Sequence, residues 1–251
     1  MRSQTIVANA AFVYRFLFYA ILLMILNINK PAGITSHDVV DAVRKITGEK
    51  RVGHAGTLDP FATGVLVVAV GRQDTKKLGE INEKSQKEYE ALAEFGKTSS
   101  TGDPTGTIHV TRNMKYIDET ELRSALEQFK GKITQTSPAY SAVRVQGTRA
   151  YKLAHKGVRV VMPPRHVTIY ELELLEFKPP FAKIRVTCSA GAYIRTLVED
   201  IAKALGTGAY TKELTRTRVS EYTIQDSKTF EELKEKSRTS PPKATHFGGP
   251  A

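Results

Sequence analysis

The residues best placed for chemistry lie in the segment GHAGTLDPFATG, residues 53–64, where Asp59 stands between a leucine and a proline. The segment predicts a glycine-rich loop, and the run VLVVAVG that follows is short, β-branched and typical of a buried strand. Loops that feed a core strand often hold reactive side chains on a rigid scaffold. Asp59 is therefore a candidate reactive carboxylate, although an aspartate before a proline also commonly caps a turn.

Two further residues are candidates for the same site. Arg195, in AGAYIRTL, opens a predicted helix whose other residues are mostly apolar. An arginine in such a position is rarely buried without an anionic partner, and the Asp59 carboxylate is a candidate partner. His54 is open to two interpretations, a buried hydrogen-bonding histidine or a contact to a nucleic-acid base.

The sequence lacks the motifs of several kinds of enzyme chemistry. The blocks GTLDPFATG and STGDPTG lack the Lys-Ser/Thr ending of a phosphate-binding loop, and there is no dinucleotide fingerprint or Gly-x-Ser-x-Gly turn. The single cysteine, Cys188, excludes an internal disulfide and a multi-cysteine zinc site, and the six histidines have no metal-ligand spacing. We therefore expect a reaction that needs no cofactor and no metal.

The charge of the chain indicates a polyanionic partner. Thirty-seven Lys and Arg residues against 26 Asp and Glu give a formal net charge of +11. Between Gly131 and Tyr170 there is no acidic residue, and Tyr140, Tyr151 and Tyr170 are interleaved with basic residues. The basic residues of this acid-free segment are Lys132, Arg144, Arg149, Lys152, Lys156, Arg159 and Arg165. Such a segment favours contact with RNA or DNA, since lysine and arginine bind phosphate and tyrosine stacks on bases; the alternative is a solvated basic face with core tyrosines.

Hydrophobic periodicity predicts strands that far outnumber helices, so the fold class is α+β, with a mixed, mostly antiparallel sheet and peripheral helices. The predicted helices cover residues 36–46, 118–131 and 194–206, the first with a capping box at Thr35 and Asp38 and the second ending at Gly131. The predicted strands cover residues 65–71, 88–96, 166–177 and 183–189.

Both ends of the chain differ in character from its middle. The apolar run Phe16–Leu26 is too short to span a bilayer but has the length of a signal peptide. No small-residue cleavage site follows it, so we expect residues 1–23 to lie outside the fold or translation to begin at Met24. From Ser237 the composition predicts a disordered tail.

Six ordered blocks of the sequence resemble the TruB family of tRNA pseudouridine synthases. They run from about Ile25 to Ile224 and read KPAGITSHDVV, RVGHAGTLDPFATGVLVVAVG, KEYEALAEFGKTSSTGDPTG, SPAYSAVRVQGTRAYKLAHKG, AGAYIRTLVEDIAKALG and LTRTRVSEYTI. The resemblance implies a cytoplasmic, monomeric enzyme that binds the T-arm of tRNA and isomerises uridine 55 of the T-loop to pseudouridine. The reaction exchanges an N1–C1′ bond for a C5–C1′ bond and needs no cofactor.

The resemblance also implies a role for individual residues. Asp59 matches the nucleophile, whose attack at the ribose C1′ or the base C6 stays open, and Arg195 matches its partner. Tyr89 matches the tyrosine that stacks on the target base and assists proton removal from C5. The substrate-binding positions that match are His54, Tyr89, Tyr193, Leu214, Lys30, Arg216 and Arg218, with Lys30 expected to shape the pocket and the last two to contact phosphate. The acid-free segment matches the family's mobile RNA-gripping insertion.

In domain terms the resemblance implies an apolar extension over residues 1–23, a catalytic domain with the pseudouridine synthase fold over 24–225, and a short helix and tail over 226–251. It also implies a short form without the C-terminal RNA-binding (PUA) domain of many bacterial members. Two alternatives stay open: an RNA-binding folding helper without catalysis, and a protein attached to a membrane through residues 11–28.

Overall fold

The computed structural model describes residues 24–111, 116–141, 143–154, 156–158 and 160–238. The predicted extension over residues 1–23, Arg159 of the acid-free segment and the tail from residue 239 lie outside the described residues.

The centre of the molecule is one nine-stranded sheet. The strands of the chain, numbered in sequence order, are β1 (Met24–Lys30), β2 (Val52–Ala55), β3 (Thr63–Val70), β4 (Lys87–Phe95), β5 (Lys97–Ser99), β6 (Ile108–Val110), β7 (Gly131–Thr136), β8 (Arg144–Val145), β9 (Thr148–Arg149), β10 (Pro164–Lys178), β11 (Phe181–Cys188), β12 (Ala209–Val219) and β13 (Tyr222–Thr223). The sheet has the order β1-β3-β12-β4-β11-β10-β7, with β2 added to β3 and β13 to β12. Among the strand pairs of the described residues, only β3–β12 is parallel, which confirms the prediction of a mostly antiparallel sheet.

Seven helices surround the sheet in the described part of the chain. They are α1 (Ser36–Thr47), α2 (Arg72–Thr75), α3 (Leu78–Lys84), α4 (Glu119–Glu127), α5 (Ala150–Ala154), α6 (Ile194–Ala204) and α7 (Phe230–Arg238). The pairs β5–β6 and β8–β9 form two separate two-stranded ribbons.

The core is divided by the sheet. Helices α4 and α6 pack their apolar residues, such as Leu126 and Leu197, on β4 and β11 in the largest cluster of buried residues. Helix α1 packs Val39, Val40 and Val43 on β3 in a second cluster. Strand β3 is buried from Gly64 to Val70, as expected for a strand with both faces covered.

The helices and strands that were predicted lie close to observed elements. Helix α1 begins at the predicted capping box, in which Thr35 accepts from the Asp38 amide and Asp38 accepts from the Thr35 amide, and it ends at Gly48 with a left-handed φ of 68°. Strands were predicted within one or two residues of β3, β4, β10 and β11, and helix α6 within two.

Three predicted boundaries were wrong. The helix predicted over 118–131 ends at Glu127, because the Gln128 and Phe129 amides bond three residues back and tighten the last turn; Gly131, with φ of 89°, begins β7 instead. The loop predicted over 53–64 is shorter, since residues 52–55 pair with β3 as β2. The tail was predicted from Ser237, but α7 continues to Arg238.

Candidate active site

The loop between β2 and β3 carries Asp59, and its neighbours on both sides are fixed by buried bonds. The Ser36 hydroxyl, 2% exposed, accepts from the Leu58 amide at 2.9 Å and donates to the Leu58 carbonyl at 3.1 Å. The Pro60 carbonyl accepts from the Gly33 amide at 2.8 Å. The backbone that presents Asp59 is therefore tied to the start of α1 and to the loop before it.

Lys30 is the second anchor of this loop. Its side chain is fully buried, and its ammonium donates to the carbonyls of Pro31 and Ile34 at 2.8 Å and of Pro60 at 3.2 Å. The prediction that Lys30 shapes the pocket fits this geometry, because its ammonium donates hydrogen bonds to three backbone carbonyls around the Asp59 loop. Burial lowers the pKa of Lys30 to about 8, against the opposing charge of Asp59.

Arg195 joins the Asp59 loop to the first turn of α6, and the predicted pairing is confirmed. Its Nε lies 2.9 Å from Asp59 Oδ2, an ionic contact off the axis of a straight hydrogen bond. The Arg195 side chain is 3% exposed, whereas that of Asp59 is 31% exposed and opens into the cleft described below. The guanidinium also donates to the carbonyls of Thr101 and Tyr140.

Asp103 is a site residue that sequence reasoning missed. Its Oδ2 lies 3.3 Å from Arg195 Nη1, and its side chain is 7% exposed. The other carboxylate oxygen accepts from the Thr101 hydroxyl and from the amide and hydroxyl of Thr105, which locks the STGDPTG turn. The signal was available, because an aspartate among turn residues commonly accepts local backbone bonds, but the block was tested only as a phosphate loop.

Tyr89 and Arg216 face each other across the β4–β12 pair, where they are register partners. Tyr89 is 7% exposed and Arg216 only 1%. The Arg216 guanidinium donates to the carbonyls of Val65 at 2.8 Å and Gly56 at 3.1 Å. Burial raises the pKa of Tyr89, so its hydroxyl stays protonated at neutral pH.

The close approach of β3 to β12 explains one glycine. Gly64 has φ of 100°, and a Cβ there would run into the backbone carbonyl of Arg216. The two strands meet only at Thr63–Thr215 and Gly64–Arg216. Glycine at position 64 therefore lets the strand that follows the Asp59 loop pack against the strand that carries Arg216.

These side chains border one cleft of about 300 Å³. Its predicted members are Asp59, Tyr89, Tyr193, Leu214, Arg195 and Arg216. Its members that sequence reasoning missed include Asn82, Lys87, Ser141 and Arg165. The Tyr193 backbone is held by Gln135, whose buried amide donates to the Tyr193 carbonyl and accepts from its N–H. The structure thus brings residues from six separate parts of the chain to one site.

Three predicted site residues do not border this cleft: His54, Lys30 and Arg218. His54 lies on β2, and burial together with the charges of Arg216, His37 and Arg149 lowers its pKa to about 4. Arg218 is partly exposed and lies 3.5 Å from Glu88. Its phosphate contact stays a prediction, as does that of Arg216, whose burial limits it to groups inside the cleft.

Burial governs the charge of the candidate nucleophile. Desolvation raises the pKa of Asp59 above its ordinary value, and Asp103 raises it further, while Arg195 and Lys30 oppose both effects. The predicted effect of the adjacent guanidinium, which favours the charged carboxylate, is therefore only one of several opposing effects on the pKa of Asp59.

The acid-free segment borders the cleft at Ser141, Val143 and Arg165. Arg165, at the start of β10, borders the cleft, and its Nη1 lies 3.5 Å from the Gly191 carbonyl. Arg144 and Arg149 are exposed on the β8–β9 ribbon. The charge of Arg149 is one of the charges that lower the pKa of His54.

No group of three or more His, Cys, Asp or Glu residues among the described residues is arranged to hold a metal ion. None of the helices in the described ranges has the length and apolar character needed to cross a bilayer.

Two family models match the chain over most of its length. Residues 44–194 match the TruB family pseudouridylate synthase (N terminal domain), and residues 195–243 match the tRNA pseudouridylate synthase B C-terminal domain. The boundary falls between Ile194 and Arg195, yet β12, from the second region, lies in the sheet between β3 and β4 of the first.

Curated relatives and solved structures agree with these matches. The chain is 42% identical over 217 residues to tRNA pseudouridine synthase B of Acaryochloris marina, covering 85% of this chain and 74% of the relative. It is 45% identical over 212 residues to tRNA pseudouridine synthase B of Caldanaerobacter subterraneus, covering 84% and 74%.

Among solved structures, a chain of a Cbf5-Nop10-Gar1 complex has a TM-score of 0.67 and 30% identity, and covers 86% of this chain and 54% of that one. A chain of an H/ACA RNP bound to a substrate RNA containing 2′-deoxyuridine has a TM-score of 0.63 and 29% identity, and covers 84% and 52%. This chain therefore spans about half the length of these solved chains. The chain belongs to the TruB family of pseudouridylate synthases.

Proposed function

We propose that this chain isomerises uridine 55 in the T-loop of tRNA to pseudouridine, with Asp59 as the nucleophile. The observation that carries the proposal is the 2.9 Å contact between Asp59 Oδ2 and Arg195 Nε at the wall of a cleft. The curated relatives bear the name tRNA pseudouridine synthase B, which supports tRNA as the substrate.

The cleft has room for one flipped nucleotide rather than for a base inside a stack. A base in a folded loop must leave its stack before it can enter, at a cost of a few kcal/mol. Tyr89 offsets part of this cost by stacking on the uracil, and the basic residues of the acid-free segment add phosphate contacts. Recognition of splayed bases in a loop is how proteins commonly recognise RNA.

Asp59 acts as the nucleophile in its ionised form. Arg195 orients the carboxylate while its own position is fixed by Asp103 and by the carbonyls of Thr101 and Tyr140. Attack at C1′ breaks the N1–C1′ bond directly, whereas attack at C6 makes a covalent adduct with the base first. In both routes the N1–C1′ bond breaks, the uracil turns, and C5 bonds to C1′. The bond from Asp59 to C1′ or C6 then breaks, and the C5 proton passes to solvent.

The same proposal covers the partner and the setting. The enzyme binds the T-arm of tRNA as a monomer in the cytoplasm, using Arg165 and the β8–β9 ribbon beside the cleft. His54 and Tyr193 lie near the bases that neighbour the target, and Leu214 lines the pocket for the flipped base.

Release of the C5 hydrogen tests the proposal. A tRNA transcript carrying tritium at uridine C5 is incubated with the wild-type protein, with Asp59→Asn and with Asp200→Asn. Asp200 is the control because it lies on α6 and pairs with Lys203 outside the cleft.

We expect tritium release by the wild type and by Asp200→Asn and none above background by Asp59→Asn, with equal tRNA binding by all three. Clear residual release by Asp59→Asn would remove Asp59 from the nucleophile role. Tight binding without release by any of the three would indicate an RNA-folding helper instead.

A further inference from the structure

Lys87 is a buried lysine in the cleft to which the proposed reaction assigns no role. It is the first residue of β4, is 5% exposed and borders the cleft. Its ammonium donates to the main-chain carbonyl and to the side-chain Oδ1 of Asn82, both at 3.1 Å. An ammonium has three N–H donors, so one of them has no acceptor among the described residues.

The charge of Lys87 also lacks a partner. No carboxylate of the described residues lies within ion-pair distance of Lys87 or of Arg216, the other buried cation on this side of the cleft. Burial and the charge of Arg216 together lower the pKa of Lys87 to about 8, so it is largely protonated at neutral pH. Buried cations are normally paired with anions, and this cation is paired only with a neutral amide.

Lys87 and Tyr89 lie on the same face of β4. Side chains two residues apart on a strand point to the same side and are about 7 Å apart. A uracil stacked on Tyr89 therefore lies within reach of the Lys87 ammonium. The other two buried cations of the cleft are already engaged, Arg216 with the carbonyls of Val65 and Gly56 and Arg195 with carboxylates.

The reaction creates negative charge on the base. When Asp59 attacks C1′, an O–C1′ bond forms, the C1′–N1 bond breaks, and its electron pair goes to the uracil, where N1 and the carbonyl oxygens share it. When Asp59 attacks C6, an O–C6 bond forms and the C5–C6 π electrons move onto the C4 carbonyl as an enolate. On both routes a carbonyl oxygen of a neutral base becomes anionic.

We infer that Lys87 is a further catalytic residue, whose ammonium, held by Asn82, donates a hydrogen bond to the uracil oxygen that becomes anionic during the reaction. This inference rests on the proposed function of the cleft. The ammonium meets a weak acceptor in the bound substrate and a charged one in the transition state, and only such a differential contact accelerates the chemical step. The site is thus built before the charge develops, as in an oxyanion hole.

This role predicts that loss of Lys87 lowers the rate constant of the reaction but not the affinity for tRNA. Removing one preorganised donor to a developing oxyanion typically lowers the rate constant by about 100-fold or more. Because uridine is neutral when it binds, the dissociation constant for tRNA changes little. A lysine that bound a backbone phosphate would have the opposite signature, weaker binding and an unchanged rate.

The test compares Lys87→Met with Lys183→Met. Both replacements remove one positive charge, but Lys183 is half-exposed on β11, pairs with Glu90 at 2.7 Å and does not border the cleft. Single-turnover rates are measured by tritium release from C5, and dissociation constants are measured separately by filter binding.

We expect Lys87→Met to lower the single-turnover rate by about 100-fold, with a dissociation constant within about threefold of the wild type, and Lys183→Met to keep both values. If Lys87→Met does not fold, Asn82→Ala gives the same test, since it keeps the charge but loses one of the two acceptors that hold it; we then expect a smaller rate loss at unchanged affinity.

A wild-type rate in the tested variant would overturn the inference, and so would weaker binding at an unchanged rate. If the proposed function itself is wrong, the wild-type protein releases no tritium. Failure of the inference is therefore distinguishable from failure of the proposed function.

Discussion

Two arginines are buried in the walls of the cleft, and they differ in what balances their charge. Arg195, 3% exposed, lies against two carboxylates, Asp59 and Asp103. Arg216, 1% exposed, donates to the carbonyls of Val65 and Gly56 and lies against Tyr89, with no carboxylate of the described residues within ion-pair distance. Counting Lys30, whose charge also acts on Asp59, the wall of Arg195 holds two cations and two carboxylates and is close to neutral, while the other wall carries an excess of positive charge.

The difference in charge balance indicates that the two arginines have different roles. A cation between two carboxylates fixes a geometry, and here it fixes the orientation of Asp59. Because no carboxylate neutralises the charge of Arg216, its electrostatic field acts on any group that enters the cleft. Lys87 adds a second positive charge on the same side. The neutral wall thus holds the nucleophile, and the positive wall is arranged for an anionic group of the substrate.

The largest effect should follow from breaking the neutral wall. Arg195→Met leaves Asp59 and Asp103 facing each other without a cation between them, and loss of one partner of a buried pair costs about 3 kcal/mol or more. We expect that loss in the free energy of unfolding, measured with urea, and a rate lower by about 1,000-fold. A loss below about 1 kcal/mol would mean that the two carboxylates do not depend on Arg195.

The matched change in the positive wall should lower the free energy of unfolding by a smaller amount. Arg216→Met leaves two neutral carbonyls without donors, at about 2 kcal/mol, but it also removes repulsion from Lys87 and Lys30. We expect a smaller loss in the free energy of unfolding than for Arg195→Met under the same conditions. Equal losses would contradict the comparison of the two walls.

Lys30 distinguishes a structural cation from a substrate contact. Lys30→Met removes three bonds to carbonyls around the Asp59 loop, so we expect a loss of about 1–2 kcal/mol in the free energy of unfolding. The single-turnover rate should fall by less than about tenfold, because Lys30 does not border the cleft. A rate loss larger than that of Lys87→Met would place the chemistry at Lys30 instead.

The smallest effect concerns the titration of His54. Its pKa is about 4 in the folded protein and near 6.5 in an unfolded chain, so the unfolded state binds more protons between these values. Stability therefore falls as the pH drops from 6.5 to 4, and His54→Phe should flatten this part of the profile. In Arg216→Met, an NMR titration should find the pKa of His54 raised, and an unchanged pKa would mean that Arg216 does not act on it.

Local signals were sufficient for the longer helices and strands but not for the short elements or for the full site. The capping box at Thr35 and Asp38 and the β-branched run after Thr63 placed α1 and β3, because they depend on neighbouring residues alone. The Asp59–Arg195 pair could be proposed because a buried arginine requires an anion, although no spacing rule joins residues so far apart in sequence.

The missed residues depend on the tertiary fold. Lys87 lies just before the predicted strand 88–96, and it becomes a buried cation beside Tyr89 through its contact with Asn82 of α3 and the pairing of β12 with β4. Asp103 reads as a turn residue until Arg195 is placed against it. Burial and charge balance arise from these long-range contacts, so the sequence pattern does not contain them.

Pseudouridine mapping at single-nucleotide resolution tests the central claim most directly. An unmodified tRNA transcript is incubated with the wild-type protein and with Asp59→Asn, and every uridine is then examined. The account predicts one new pseudouridine, at position 55 of the T-loop, with the wild type only. Modification at position 55 by Asp59→Asn, or modification by the wild type only at other positions, would contradict it.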